Sequence, residues 1–201
     1  MNNETLFLLF ILLSMIRLVY QLTEEEFLTY NFYTCWERPE RKNLRLRFYI
    51  IGVVAVIALV SIVFFNDLSR DGITLYPASL MVIGIAFMML MIRFRMKSGF
   101  DKRARKMLSD SNPNSVLRET EWTFSETGVT GKTAVSEVKF SWDAFQKKAI
   151  ANRSFYLYTN AQQAMVIPFR VFSSTGEKEE FEKILKQHLP LSADLPVATA
   201  K

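Results

Sequence analysis

Two long apolar runs decide the fold of this chain: FYIIGVVAVIALVSIVFF at residues 48–65 and GITLYPASLMVIGIAFMMLMI at residues 72–92. Neither contains a charged side chain, and a six-residue polar stretch, Asn66–Asp71, separates them. At 1.5 Å per residue, helices of 18 and 21 residues span roughly 27 and 32 Å, about the thickness of a bilayer's hydrocarbon core. Lipid leaves backbone polar groups no partners outside their own segment. The pattern therefore predicts a two-helix transmembrane hairpin over residues 48–92.

The positive charges of the chain cluster on both outer flanks of this hairpin. The net charge is +5, which would also suit a nucleic-acid-binding protein, but the location of the cations argues against that class. Five precede the first run and seven follow the second: Arg38, Arg41, Lys42, Arg45 and Arg47, then Arg93, Arg95, Lys97, Lys102, Arg103, Arg105 and Lys106. Because cations favour the cytoplasmic side, we expect both flanks to be cytoplasmic and the seven later cations to contact lipid headgroups.

The amino terminus allows three interpretations. Leu6–Ile16 is apolar but too short to span a bilayer unaided, so it is a short third membrane segment, a buried or interfacial segment, or an extension upstream of a natural start at Met15. After it, Ile16–Leu22 alternates as a half-buried strand does. Thr23 and Glu26 form a capping box for a helix that Pro39 ends. We favour a strand and then a helix over residues 16–35.

Beyond the hairpin, Arg93–Leu108 predicts an amphipathic basic helix. Phe100, Ala104, Met107 and Leu108 share one face. Such a helix either lies in the headgroup layer with its apolar face down or is simply solvated. The polar stretch Ser109–Asn114 then marks a domain boundary.

From Ser115 the hydrophobic period changes to two, which indicates strands. The patterns around residues 122–125, 138–142, 155–158 and 165–167 predict an antiparallel sheet with turns at 126–128 and 160–163. A second capping box, Ser174 to Glu177, opens a helix with Phe181, Ile184, Leu185 and His188 on one face. Aromatic and aliphatic side chains of these elements form the expected core: Trp122, Phe124, Trp142, Phe155, Ile167 and Phe181.

The predicted segments are an apolar extension at 1–14, a cytoplasmic strand and helix at 15–47, the hairpin at 48–92, a basic linker at 93–114, a β-rich domain at 115–189 and a disordered tail at 190–201. The strand edges of the β-rich domain need cover. The last helix, the Ile16–Leu22 strand or a second copy of the chain would each supply it.

An ordered set of short motifs resembles the YcxB-like proteins of bacteria. They are Tyr20–Phe27, a transmembrane hairpin, and then Thr123–Val129, Phe140–Phe145, Phe155–Tyr158 and Val166–Phe172. The resemblance implies a two-helix membrane protein with a cytoplasmic β-rich domain similar to pleckstrin-homology modules. It brings no catalytic residues, and residues 1–14 lie outside the matching pattern.

Little in the chain indicates catalysis. His188 is the only histidine and suits a helix carboxy terminus, while Cys35 is the only cysteine and excludes a disulfide framework within the chain. Phosphate-binding glycine motifs are missing from the sequence. We expect no catalytic residues, no metal ligands and no cofactor.

These features predict an α+β protein of a bacterial cytoplasmic membrane, in which the hairpin anchors an antiparallel β-rich domain closed by a helix. The expected function is a non-enzymatic interaction or regulatory module. The expected partners are membrane lipids together with an unknown protein or a second copy of the chain, and not nucleic acid. The alternative is an accessory subunit of a transport or secretion complex; an enzyme working at the membrane is a third, weaker interpretation.

Overall fold

The computed structural model describes residues 15–64, 75–110 and 117–189. The expectations for residues 1–14, the 66–71 turn, the 111–114 boundary and the 190–201 tail fall wholly outside these ranges. The described residues form an α+β fold with the following elements in order: β1 (Ile16–Tyr20), α1 (Glu24–Phe32), a π-helical turn (Tyr33–Glu37), a 3-10 turn (Pro39–Arg41), α2 (Lys42–Val63), α3 (Leu75–Asp110), β2 (Thr120–Ser125), β3 (Gly128–Lys132), β4 (Glu137–Phe140), β5 (Lys147–Ala151), β6 (Ser154–Tyr158), β7 (Ala164–Pro168) and α4 (Thr175–His188).

These elements belong to two compact units. The first contains the described residues up to Tyr30 and those from Lys106 onward; the second is Asn31–Arg105. In the first unit, β1-β2-β3-β4 form one antiparallel sheet and β5-β6-β7 form another. The unit is therefore built from both ends of the chain, with the second unit inserted between β1 and β2.

Helix α4 joins the two sheets of the first unit through aromatic contacts. The ring of Phe181 lies 4.8 Å from that of Phe124 on β2 and 5.2 Å from that of Phe155 on β6, centroid to centroid. All three side chains are buried. The predicted capping of α4 is present, since Glu177 N donates to Ser174 Oγ, while the Glu177 carboxylate accepts from Ser173 N rather than from Ser174. One apolar helix face thus closes a core shared by both sheets.

The second unit is built around α2 and α3. Each contains an apolar stretch long enough to cross a membrane. In α2 6% of that stretch is buried within the protein, and in α3 none of it is. The two helices touch at small residues. A Cβ on Gly52 would meet Met88 Sδ at 2.2 Å, so the Met88 side chain would have to move to admit a larger residue there.

Two local predictions were wrong. The first strand ends at Tyr20, not Leu22. Trp142 does not continue the fourth strand, which ends at Phe140; it lies in a 3-10 turn, Trp142–Ala144, where its indole Nε1 donates to Ser125 O at 2.9 Å.

Candidate functional site: the junction between the amino-terminal arm and the β-rich domain

The amino-terminal arm, defined here as residues 15–30, completes the β-rich domain. Strand β1 pairs with β2 along its whole length, from Ile16 opposite Phe124 to Tyr20 opposite Thr120. Its alternation places Ile16, Leu18 and Tyr20 in the core and leaves Arg17 and Val19 outside. The sequence left three ways of covering a strand edge open, and the structure shows this strand paired with β2. The domain that the sequence placed at 115–189 is incomplete without the arm.

Two tyrosine hydroxyls connect the arm to the second sheet. Tyr20 donates to Val166 O at 2.6 Å. Tyr30 donates to Gln162 O at 2.6 Å and accepts from Ala164 N at 2.9 Å, so it ties the β6–β7 turn to α1. Burial raises the pKa of Tyr20 far above its ordinary value, with the nearby Glu26 carboxylate adding to that rise. The hydroxyl therefore stays protonated and remains a donor.

An ion pair closes the same junction at its polar end. Arg170 Nε and Nη2 donate to the two carboxylate oxygens of Glu26 at 2.6 and 2.8 Å, and Nη2 also donates to Gln21 O at 2.7 Å. Burial alone would raise the pKa of Glu26, but hydrogen bonds from Arg170 and from Thr23 outweigh it, and the pKa is lowered. Glu26 also forms the predicted capping box, since Thr23 N donates to its carboxylate and Glu26 N donates to Thr23 Oγ1. One side chain thus caps α1 and holds the later part of the chain.

Within the second unit, an aromatic cluster links the segment after α1 to both long helices. The rings of Phe32 and Trp36 lie 6.2 and 6.5 Å from that of Phe100 on α3, and Trp36 lies 5.7 Å from Phe48 on α2. Arg45 Nη1 donates to the carbonyl oxygens of Trp36 and Arg38. The sequence predicted Arg45 only as a flanking cation, but its side chain stabilises the turn that contains Trp36 and Arg38.

The seven cations predicted to contact lipid headgroups all lie on α3, which runs without a break from Leu75 to Asp110. At 100° per residue they are spread around the whole helix and form no single basic face. Arg93 pairs with Glu37 at 3.4 Å. Because α3 is continuous, this segment would lie flat in the headgroup layer only if the helix bent, and contact of its cations with lipid stays a prediction.

The predicted core residues converge in the β-rich domain. Phe124, Trp142, Phe155, Ile167 and Phe181 are buried in one cluster, and Trp122 is half-buried against it. Trp122 lies over Gly131 of β3, where a Cβ would meet its ring at 2.3 Å. His188 stacks on Trp142 with ring centroids 4.8 Å apart and planes 5° apart.

Three residues that hold this junction were missed by sequence reasoning: Tyr20, Tyr30 and Arg170. Tyr20 and Arg170 lie in motifs quoted above and Tyr30 lies in the predicted helix, but their partners are more than a hundred residues away. Among the described residues, no group of three His, Cys, Asp or Glu side chains is placed to hold a metal ion.

Comparison with known proteins agrees with the resemblance in the sequence. Residues 124–185 match the family model described as YcxB-like protein. No curated protein and no solved structure matches the chain. The matched range begins in β2 and ends in α4, so it contains the carboxy-terminal part of the domain and omits the arm. Residues 124–185 are therefore similar to the YcxB-like proteins, and in this chain a strand and a helix from before the two long apolar helices complete the same domain.

Proposed function

We propose that this chain is a non-enzymatic interaction or regulatory module of a bacterial cytoplasmic membrane, anchored by a two-helix hairpin. The observation that supports it most strongly is the pairing of β1 with β2 across the inserted helices. Both strands must lie on the same side of a membrane in order to pair. The chain between them therefore crosses an even number of times, which two spans satisfy and one does not.

The exposure of α2 and α3 supports the same proposal. A helix of this hydropathy in a soluble protein is normally buried, because exposing it to water costs about 25 cal/mol per Å² of apolar surface. Here the apolar stretches of both helices are almost wholly exposed, so a lipid environment would stabilise them better than water. The cations that flank both helices support a cytoplasmic location for the soluble regions.

The domain itself supports a binding role. Two antiparallel sheets of four and three strands, closed by a carboxy-terminal helix, are the arrangement expected of the pleckstrin-homology-like module that the family resemblance implies. Confinement of this module at the inner leaflet raises its effective concentration for partners there. Those partners are membrane lipids and either another protein or a second copy of the chain.

The topology is testable with the full-length chain. Cys35 is the only cysteine, so Cys35→Ser gives a cysteine-free background. Into it we would place one cysteine at Ser69, between the spans, or at Thr127, in the β2–β3 turn. A membrane-impermeant maleimide should label the first in intact cells and the second only after permeabilisation. Labelling of Thr127→Cys in intact cells would overturn the proposed orientation.

The role of the domain is tested by crosslinking and pull-down from membranes. Partners should survive replacement of 48–92 by an unrelated two-span hairpin and should be lost on Phe181→Ala, which removes a buried core ring.

One observation favours the alternative, an accessory subunit of a transport or secretion complex. An apolar groove of about 500 Å³ opens between α2 and α3, lined by residues that include Val56, Val60, Gly84 and Met88. Small and apolar surfaces of this kind permit helix association in lipid. If all partners vanish when the hairpin is replaced while the domain stays folded, this alternative is correct.

A further inference from the structure

A polar cleft of about 340 Å³ opens in the first unit, between the first turns of α1 and the β5–β6 hairpin. Its size is at the lower end of small-ligand pockets. The hairpin turn consists of Asn152 and Arg153, whose φ angles of 51° and 56° are those of a two-residue type I′ turn. This turn fixes Asn152 at the edge of the cleft.

The hydroxyl of Ser154 opens into this cleft and has no protein partner among the described residues. Ser154 is 4% exposed, lines the cleft, and its hydroxyl forms no hydrogen bond with any residue that the structure describes. It alternates along β6 with Phe155, which points into the core, so Ser154 shares the opposite face with Tyr156. The Tyr156 ring lies 5.7 Å from that of Tyr30 on α1, which shows that this face of the sheet is the one turned toward α1. Because Ser154 Oγ is reached from the cleft and is not sealed in the core, its acceptor is available to a ligand there.

The charge in the cleft is negative. Glu26 and Arg170 both line it but neutralise each other through two hydrogen bonds. Glu25 also lines it, is exposed, and has no ion-pair partner among the described residues. The remaining polar groups, Thr29 and Asn152, supply a hydroxyl and an amide.

We propose that this cleft binds a primary ammonium group, carried by a small amine or by an ethanolamine lipid headgroup. An ammonium has three N–H donors and no acceptor, and the Glu25 carboxylate, the Ser154 hydroxyl and the Asn152 amide oxygen are three acceptors. A phosphate would meet the uncompensated carboxylate and be repelled. A quaternary ammonium has the same charge but no N–H, so it leaves the Ser154 hydroxyl unsatisfied. This inference goes beyond the proposed function, since it concerns a ligand site that holds whatever the topology of the helices.

The experiment uses the full-length protein in phosphatidylcholine nanodiscs and ligand-observed saturation-transfer NMR. Ethanolamine is titrated as the probe, and choline is the matched control because it differs by lacking N–H donors. We expect ethanolamine to bind and choline to bind at least about tenfold more weakly. No saturation transfer to ethanolamine, or equal binding of the two probes, would overturn the proposal.

Three substitutions locate the site. Glu25→Gln should weaken ethanolamine binding about tenfold or more, and Ser154→Ala about fivefold, since they remove a charged and a neutral hydrogen bond respectively. Glu24→Gln makes the same charge change in the same helical turn but does not line the cleft, so binding should stay within about twofold. Ser154→Ala removes no hydrogen bond that the described residues make, so its Tm should match that of the wild type. Equal losses in Glu25→Gln and Glu24→Gln would also overturn the proposal.

A comparison of nanodiscs with and without phosphatidylethanolamine distinguishes a lipid headgroup from a soluble amine as the natural ligand. If phosphatidylethanolamine is the natural occupant, adding it to the discs lowers the apparent affinity for free ethanolamine by competition. If the affinity is unchanged, the site takes a soluble amine. Both outcomes require binding at the cleft and therefore support the site itself.

Discussion

The β-rich domain and the long apolar helices contain similar hydrophobic residues but place them in opposite environments. Phe124, Phe155 and Phe181 are completely or almost completely buried, whereas Ile62 on α2 and Leu90 on α3 are 75% and 71% exposed. The domain has an inside and an outside because its hydrophobic residues alternate with polar ones. The helices are apolar all round, so their solvent must be apolar too. Periodicity, and not composition, separates a water-soluble core from a membrane anchor.

The largest expected effect contrasts one buried and one exposed large residue. Phe181→Ala should destabilise the domain by about 3–5 kcal/mol, because it removes a ring that both sheets pack against. Ile62→Ala should leave the domain unchanged, because it lies in a different unit and is mostly exposed. Hydrogen exchange of the β6 amides in nanodiscs measures both. Equal protection in the two variants would contradict the shared core.

The arm provides the next test, within a single strand. Leu18→Ala should cost roughly 3 kcal/mol because Leu18 is buried against β2, and Val19→Ala on the outward face should cost less than about 0.5 kcal/mol. Replacing residues 16–30 with a flexible linker should expose the whole domain to protease. If the linker variant resisted protease as the wild type does, the arm would not be part of the domain.

The sequence predicts each element of this junction but not the pairing between them. Alternation in Ile16–Tyr20 indicates a strand, yet its partner β2 lies a hundred residues later, and no local pattern specifies such a pairing. Arg170 shows the same limit, because its carboxylate partner is 144 residues away. Capping boxes, by contrast, are local, and both were predicted at the correct helix ends.

Two strands were missed for a physical reason. Strand β3, Gly128–Lys132, has two glycines and few hydrophobic residues, so its pattern is weak. Gly131 is there because the Trp122 ring occupies the space a side chain would need. Strand β5, Lys147–Ala151, has only one large apolar residue, Ile150, and that residue points outward. Tertiary packing, rather than propensity, makes these segments strands.

The Tyr20 hydroxyl should be worth about 1–2 kcal/mol, because Tyr20→Phe leaves the buried Val166 carbonyl without its donor. The pKa of Tyr20 is raised in the folded state, so the unfolded chain loses its proton first, at about pH 10. Stability from this group is thus complete below that pH and falls as the pH rises above it. Alkaline unfolding of the wild type and of Tyr20→Phe, followed by circular dichroism, should converge above about pH 10. Parallel curves at all pH values would exclude this cause.

A smaller effect is expected from the Glu26–Arg170 pair. Both side chains are partly exposed, so a double-mutant cycle of Glu26→Gln and Arg170→Gln should give a coupling energy of about 1 kcal/mol. The pKa of Glu26 is lowered on folding, so this stabilisation is present above about pH 4.3 and is lost as the pH falls. Urea titrations at pH 7 and pH 3.5 measure it. A coupling energy that persists at low pH would point to packing instead of charge.

The smallest effect per residue is the attraction of the α3 cations to anionic lipid headgroups. It should differ between cations near the apolar run and cations far from it. The headgroup layer is about 5–8 Å thick on each side, and a helix rises 1.5 Å per residue. Arg93, Arg95 and Lys97 therefore fall within about 8 Å of the end of the apolar run, while Lys102 and Lys106 lie about 15 and 21 Å beyond it. Attraction to anionic lipid decays over a Debye length of about 8 Å, so the near group should contribute up to about 1 kcal/mol per residue and the far group much less.

Replacing Arg93, Arg95 and Lys97 by Gln should reduce enrichment of a fluorescent anionic lipid around the protein in vesicles, and more so at low salt. Replacing Lys102, Arg103 and Lys106 by Gln removes the same charge from the same helix and serves as the matched control. An equal loss in both variants would mean that the far cations also reach the headgroups, which a helix continuing along its own axis does not allow. The far cations would then have to lie flat, and α3 would have to bend after Lys97 when lipid is present.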